Sequence, residues 1–115
     1  MKQVIQSKNA PAAIGPYSQA IAVPSESNIV FLSGQIALDP ATGQIVEGGI
    51  EAETKQVMKN IEAILKEIGV GFDHVVKTTI FLVTMNDFAI VNQVYGSYFR
   101  QNPPARSTVA VAELP

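Results

Sequence analysis

Residues 74–114 read HVVKTTIFLVTMNDFAIVNQVYGSYFRQNPPARSTVAVAEL. The β-branched and aromatic run His74–Met85 predicts a long strand. Asn86 then stands where a helix N-cap belongs, ahead of the apolar-periodic NDFAIVNQVYGSYF over residues 86–99. Beyond NPPA, the run RSTVAVAEL over residues 106–114 predicts another strand. Strand, helix and strand therefore follow one another in the last third of the chain.

Working outward, residues 51–68 place Val57, Ile61, Ile64, Leu65 and Ile68 on one helical face, and Gly69 ends the pattern. Upstream, NIVFLSGQIAL is bounded by the turn compositions PSES and DPATGQ, and it predicts a strand from Ile29 to Leu38. Alternation puts Ile29, Phe31, Ser33 and Gln35 on one of its faces and Val30, Leu32, Gly34 and Ile36 on the other. Shorter strands are expected near Val4–Ile5 and Ser18–Val23. Strands alternating with two helices imply an α+β or α/β sheet with both helices on one face. Phe31, Phe81 and Val83 fall on strand faces that two helices do not cover, so an oligomer burying the other face is expected.

The chain has 115 residues, 47% hydrophobic and 16% charged, which bounds it to one folded domain over residues 1–115. Its net charge of -2 gives no footprint for a phosphate backbone, so nucleic acid is disfavoured as a partner. There is no cysteine and one histidine, His74, so no metal cluster is legible and no cofactor is expected. The amino-terminal stretch lacks the apolar core of a signal peptide, and no segment approaches the roughly 18 apolar residues of a membrane span. The default reading is a cytoplasmic protein without a membrane partner.

Six of the eight cations are lysines, so an arginine at position 106 is not drawn from an arginine-rich surface. Two prolines fix an extended approach to it. Its planar guanidinium presents a fork of donors matched to a carboxylate and stays charged when partly desolvated. The alternative is a surface arginine closing a salt bridge. Asn92 lies about 40° from Phe88 and about 20° from Phe99 on a helical wheel of about 100° per residue, within the apolar stripe that also holds Tyr95. Its amide must find partners there, whether in a site or among core backbone groups.

Tyr17 follows a Gly15–Pro16 turn and offers an apolar body with a polar tip, suited to a pocket wall or to ordinary half-buried packing. Ser33 beside Gly34 is not a nucleophile elbow, since LSGQI lacks the G-x-S-x-G pattern and a single imidazole is available as base. Gly34 inside a strand marks a bulge or a close ligand approach. His74 reads as a surface or cap residue. Glu51, Glu53, Glu62 and Glu67 read as a solvated helix face. What remains is a pocket chemistry of positioning.

The segments NAPAAIGPYSQA, SGQIALDPATGQI, KTTIFLVTMNDFAIVNQVYGSYF and PPARSTVAVAELP together resemble the reactive intermediate deaminase family, the Rid or YjgF-type proteins, and in particular its RidA branch. The likeness runs from Asn9 to Pro115. It implies a chorismate-mutase-like α+β fold, a mixed β-sheet with two α-helices on one face, assembled as a homotrimer around a central barrel. It also implies three clefts between subunits that hydrolyse 2-iminobutanoate and 2-iminopropanoate, reactive imine or enamine acids released by pyridoxal-phosphate-dependent dehydratases, to 2-oxo acids and ammonia.

By the same resemblance, Arg106 clamps the substrate carboxylate and Tyr17 lines the pocket near the reacting carbon. Ser33 and Gly34 reach the ligand through a backbone N–H, and Asn92 lines the cleft. Thr108 occupies a position that is often cysteine in this branch, keeping a small polar group without the thiol. The family pattern continues past ELP into a strand carrying a glutamate associated with the attacking water, so the natural protein is expected to extend at least one strand beyond Pro115. A different class of reading is a non-catalytic module that binds 2-oxo acids and reports their level. An endoribonuclease reading is disfavoured by the acidic charge.

Overall fold

A computed structural model describes residues 1–115. Two short strands open the chain, β1 (Gln3–Ile5) and β2 (Ala20–Ala22), paired antiparallel with Val4 opposite Ile21. Helix α1 (Gly49–Glu67), strand β3 (Lys77–Leu82), helix α2 (Phe88–Tyr98) and strand β4 (Ala105–Ala110) follow. Strands β3 and β4 are parallel, with Thr78 opposite Arg106 and Ile80 opposite Thr108. Parallel neighbours require a crossover, and α2 supplies it.

Side chains alternate across β3. Thr78 and Ile80 are half-buried and Leu82 is buried, whereas Lys77, Thr79 and Phe81 are exposed. The inner face is covered by both helices: Met58 of α1 meets Val94, Tyr95 and Phe99, with Ile61, Phe72, Val75 and Ile80 packed around them. Rings of Tyr95 and Phe99 lie 4.6 Å apart, and Phe72 meets Phe99 edge-on at 5.3 Å. Two helices on one side of a β layer thus agree with the α+β expectation, and the uncovered outer side leaves Phe81 and Val83 more than half exposed.

The buried stripe of α1 is Thr54, Met58 and Leu65 with Ile61 beside them, rotated by about one residue from the stripe that apolarity alone selects. Thr54 tolerates burial because its hydroxyl donates to its own helix at the Ile50 carbonyl, 2.6 Å away. Ile68, expected inside, is exposed at the C-cap. The helix ends in a Schellman arrangement: Gly69, at φ 76°, donates to the Lys66 carbonyl and Val70 to that of Leu65, satisfying two terminal acceptors.

Two expectations are corrected. The run Ile29–Leu38 forms no strand beyond a single bridge from Leu38 to Ile45, and Ile29, Val30 and Phe31 are exposed, Phe31 at 90%. Strand propensity describes a side-chain pattern, but a ladder needs a partner, and here no neighbouring strand receives this run. In place of one mixed sheet there are therefore two separate ladders, one antiparallel and one parallel. Nor is Asn86 the N-cap of α2. A 3-10 turn over Met85–Asp87 precedes the helix, and it is Thr84 whose hydroxyl accepts from the Asn86 N–H.

Candidate functional site

Arg106 stands at the start of β4 on the face that looks toward α2, opposite Thr78. Its Nη1 donates to Oδ1 of Asn92 on α2 at 2.5 Å. The guanidinium carbon lies 5.1 Å from the ring centre of Tyr95, 5.5 Å from Tyr17 and 5.6 Å from Phe88. Each distance is within reach of a cation–π attraction, so three rings hold a partly desolvated cation in place. No carboxylate closes on it: the structure's ion pairs lie at Lys55–Glu51, Lys66–Glu62 and His74–Asp73. This removes the surface salt-bridge reading of Arg106.

Tyr17 reaches this cluster because its loop is pinned to the segment that introduces β4. The Ser18 N–H donates to the Pro104 carbonyl at 3.0 Å, and the buried Ser18 hydroxyl donates to the Pro103 carbonyl. Pro104 is fully buried, so the prolines that hold the approach to Arg106 extended also anchor the loop carrying Tyr17. On the other side, a Cβ on Gly96 would sit 3.4 Å from Pro16, and its absence lets α2 approach the same loop closely. Loop, helix and strand thereby deliver Tyr17, Asn92 and Arg106 to one place.

Below the guanidinium, the Tyr95 hydroxyl and Thr78 Oγ1 share a hydrogen bond of 2.7 Å. Burial pushes the Tyr95 phenol above its ordinary value, against the smaller opposing pulls of the Thr78 bond and the Arg106 charge. It therefore stays neutral at physiological pH. Thr108, two residues beyond Arg106 on the same face, carries a buried hydroxyl with no hydrogen-bond partner in the protein.

Ser33 and Gly34 are not joined to this cluster. They lie in the exposed run after β2, where the Ser33 carbonyl accepts from Gln35 at 3.3 Å and a Cβ on Gly34 would meet nothing within 4 Å. His74 is exposed beside Asp73, at 3.0 Å. No three of His, Asp and Glu gather into a set able to hold a metal ion. No helix is long and apolar enough to cross a membrane.

Phe88, Tyr95, Thr78 and Gly15 belong to the site without having been singled out as functional. Phe88 and Tyr95 share the apolar stripe of α2 with Asn92, and a half-buried amide flanked by two aromatics at helical spacing is the signal that marks them. Gly15 and Thr78 become visible only through their through-space neighbours.

The family model described as Endoribonuclease L-PSP matches residues 7–115. The chain belongs to the Rid/YjgF family. A protein from Myxococcus xanthus named DfrA is 53% identical over 99% of this chain and 86% of its own length. The mouse 2-iminobutanoate/2-iminopropanoate deaminase is 50% identical over the whole of this chain and 83% of its own. Among solved structures, the Rid-family protein YyfA from Yersinia pestis is 51% identical and superposes with a TM-score of 0.74, covering all of this chain and 90% of that one. This Rid-family chain thus shares with those relatives a likeness that spans Tyr17, Asn92 and Arg106 alike.

Proposed function

We propose that the protein is an imine/enamine deaminase, hydrolysing 2-iminobutanoate and 2-iminopropanoate to the 2-oxo acids and ammonia. The observation that carries this reading is the Arg106 guanidinium, fixed by Asn92 and three rings and without an acidic partner. A cation so held is a receptor for an anion. The 50% identity to a deaminase of that name points to the anion being a 2-imino acid carboxylate.

The chemistry asks for positioning more than for acid–base strength. An imine next to a carboxylate is electrophilic, so holding the carboxylate on Arg106 beside a water turns a bimolecular attack into an oriented one. Water oxygen bonds to the imine carbon, a proton passes to nitrogen, and the C–N bond of the resulting carbinolamine breaks to leave the 2-oxo acid and ammonia. Tyr17, whose ring centre lies 5.5 Å from the guanidinium carbon, offers its hydroxyl to orient this exchange, and Tyr95 stays a neutral floor. The unpartnered Thr108 hydroxyl adds a polar group along the same face.

The exposed outer side of β3–β4 and the exposed run around Phe31 support assembly of copies, which we read as a homotrimer with sites between subunits. Covering that run in the trimer would bring the Ser33 and Gly34 amides to the ligand. The deciding experiment couples the protein to a threonine dehydratase and follows 2-oxobutanoate. Faster appearance with the protein supports the reading. Saturable binding of 2-oxobutanoate without any acceleration would leave a binding module in its place.

A further inference from the structure

The bond between Arg106 and Asn92 uses only part of each group. Nη1 of the guanidinium donates to Oδ1 of the amide, which turns the remaining guanidinium nitrogen Nη2 and the amide nitrogen Nδ2 toward the same neighbourhood. That neighbourhood is defined by Gly15. A Cβ built on Gly15 would lie 3.6 Å from Arg106 Nη2, 3.7 Å from Asn92 Nδ2 and 3.8 Å from Tyr17 Cδ1, its nearest neighbours beyond the adjoining residues of its own chain segment. Both nitrogens carry N–H groups that donate to no group of the protein. Two donors from different elements therefore converge on a space that exists because residue 15 has no side chain.

Glycine is not there for its backbone. Gly15 is absent from the residues at positive φ, where an L side chain would be strained. All three distances are ordinary van der Waals separations, so an alanine would fit the fold without displacing its neighbours. It would fill the space all the same. A methyl group there would stand where an acceptor about 2.9 Å from each nitrogen belongs.

We infer that the space beside Gly15 seats one oxygen of the ligand carboxylate, bridged by Arg106 Nη2 and Asn92 Nδ2, and that Gly15 sets the width of this seat. The inference rests on Arg106 being the carboxylate receptor proposed above and assigns two further parts to it. Asn92 is a direct ligand donor as well as the clamp that fixes the guanidinium. Gly15 is a specificity position that admits an oxygen and would refuse one if it carried a methyl group.

The test measures 2-oxobutanoate binding by calorimetry to the wild-type protein and to Gly15→Ala and Asn92→Asp variants, with butanone as a ligand lacking the carboxylate. Gly15→Ala should fold as wild type and weaken 2-oxobutanoate by about tenfold or more, the scale of a lost charge-assisted hydrogen bond, while butanone stays equally weak throughout. Asn92→Asp keeps an acceptor toward Arg106 but replaces the Nδ2 donor by an anionic oxygen, and it should lose more affinity than the alanine variant. Unchanged affinity in a folded Gly15→Ala protein overturns the seat. So does a folded Asn92→Asp protein that binds as wild type, whatever becomes of the alanine variant, and so does a wild type that does not bind 2-oxobutanoate. If binding behaves as expected while the coupled dehydratase assay shows no acceleration, the seat stands and the deaminase reading falls.

Discussion

Arg106 at the start of β4 and Asn92 in the middle of α2 are joined by a 2.5 Å hydrogen bond, and this bond spans the crossover that makes β3 and β4 parallel. Geometry of the candidate site and geometry of the βαβ unit are therefore linked. The amide fixes one edge of the guanidinium and the rings of Tyr17, Phe88 and Tyr95 fix its position, leaving its other nitrogens without a protein partner.

Arg106→Lys follows directly from that arrangement. An ammonium retains the charge but cannot bond Asn92 and present a parallel pair of N–H donors to a carboxylate at once. Imine hydrolysis should fall by about two orders of magnitude or more, the scale of losing a bidentate, charge-assisted contact, and Arg106→Ala should abolish it. Both variants should remain folded, since the residue is only half-buried and the core lies around Met58, Val94, Tyr95 and Phe99. Near-normal kcat/KM in the lysine variant would remove the clamp.

Ser18→Ala tests how the Tyr17 loop is held. Loss of the hydroxyl leaves the Pro103 carbonyl without its donor in a buried corner, at a cost of about 1–3 kcal/mol in urea-unfolding stability. Because the same anchor places Gly15 and Tyr17 against Arg106, activity should drop as well, measured under conditions where the variant is fully folded. A stability loss with unchanged turnover would show that the loop keeps its place through the Ser18 N–H and packing alone.

Much of this arrangement is legible in the sequence, and what is not has physical causes. Both helices and strands β3 and β4 are legible because each keeps one period over several turns or pleats, and Gly69 announces the end of α1 through its left-handed φ. Ends drift where short 3-10 turns at Phe72–His74 and Met85–Asp87 consume residues that look like strand and helix. Ile29–Leu38 misleads because its alternation states what the side chains prefer, not which strand will pair with it. Arg106 and Asn92 are legible as residue types too polar for their apolar settings, and Tyr17 as a phenol that follows the Gly15–Pro16 turn. Gly15 and Thr78 are not, since their importance lies in a missing Cβ and in one hydroxyl opposite Tyr95.

Tyr95→Phe carries a pH signature. The folded-state phenol titrates above its ordinary value, chiefly from burial, so the unfolded chain loses this proton first as pH rises. The group's contribution is fully present below the ordinary tyrosine value of 10.0 and is lost as pH climbs through the higher folded value. Unfolding free energy of the wild type should therefore fall more steeply above pH 10 than that of Tyr95→Phe, with every other titrating group common to both. At neutral pH the variant should be less stable by about 1 kcal/mol, because the Thr78 hydroxyl loses its partner. Identical alkaline slopes for the two proteins would remove Tyr95 as the source.

Phe81→Asp addresses the uncovered face. Phe81 lies opposite Val109 on the outer side of β3–β4, away from both helices, and it is 55% exposed. In a single chain a charge there meets water and should change stability by no more than about 0.5 kcal/mol. In a homotrimer the face is buried, and each copy would forfeit about 1.5–3 kcal/mol of aromatic burial and add the cost of desolvating a carboxylate. Light scattering should accordingly give three chain masses for the wild type and one for the variant, with imine hydrolysis lost alongside assembly if the clefts are shared between copies. A wild type that scatters as a single chain at full activity would refute the trimer. A variant that stays trimeric would place the interface on another surface, with the exposed run around Phe31 the next to carry the charge.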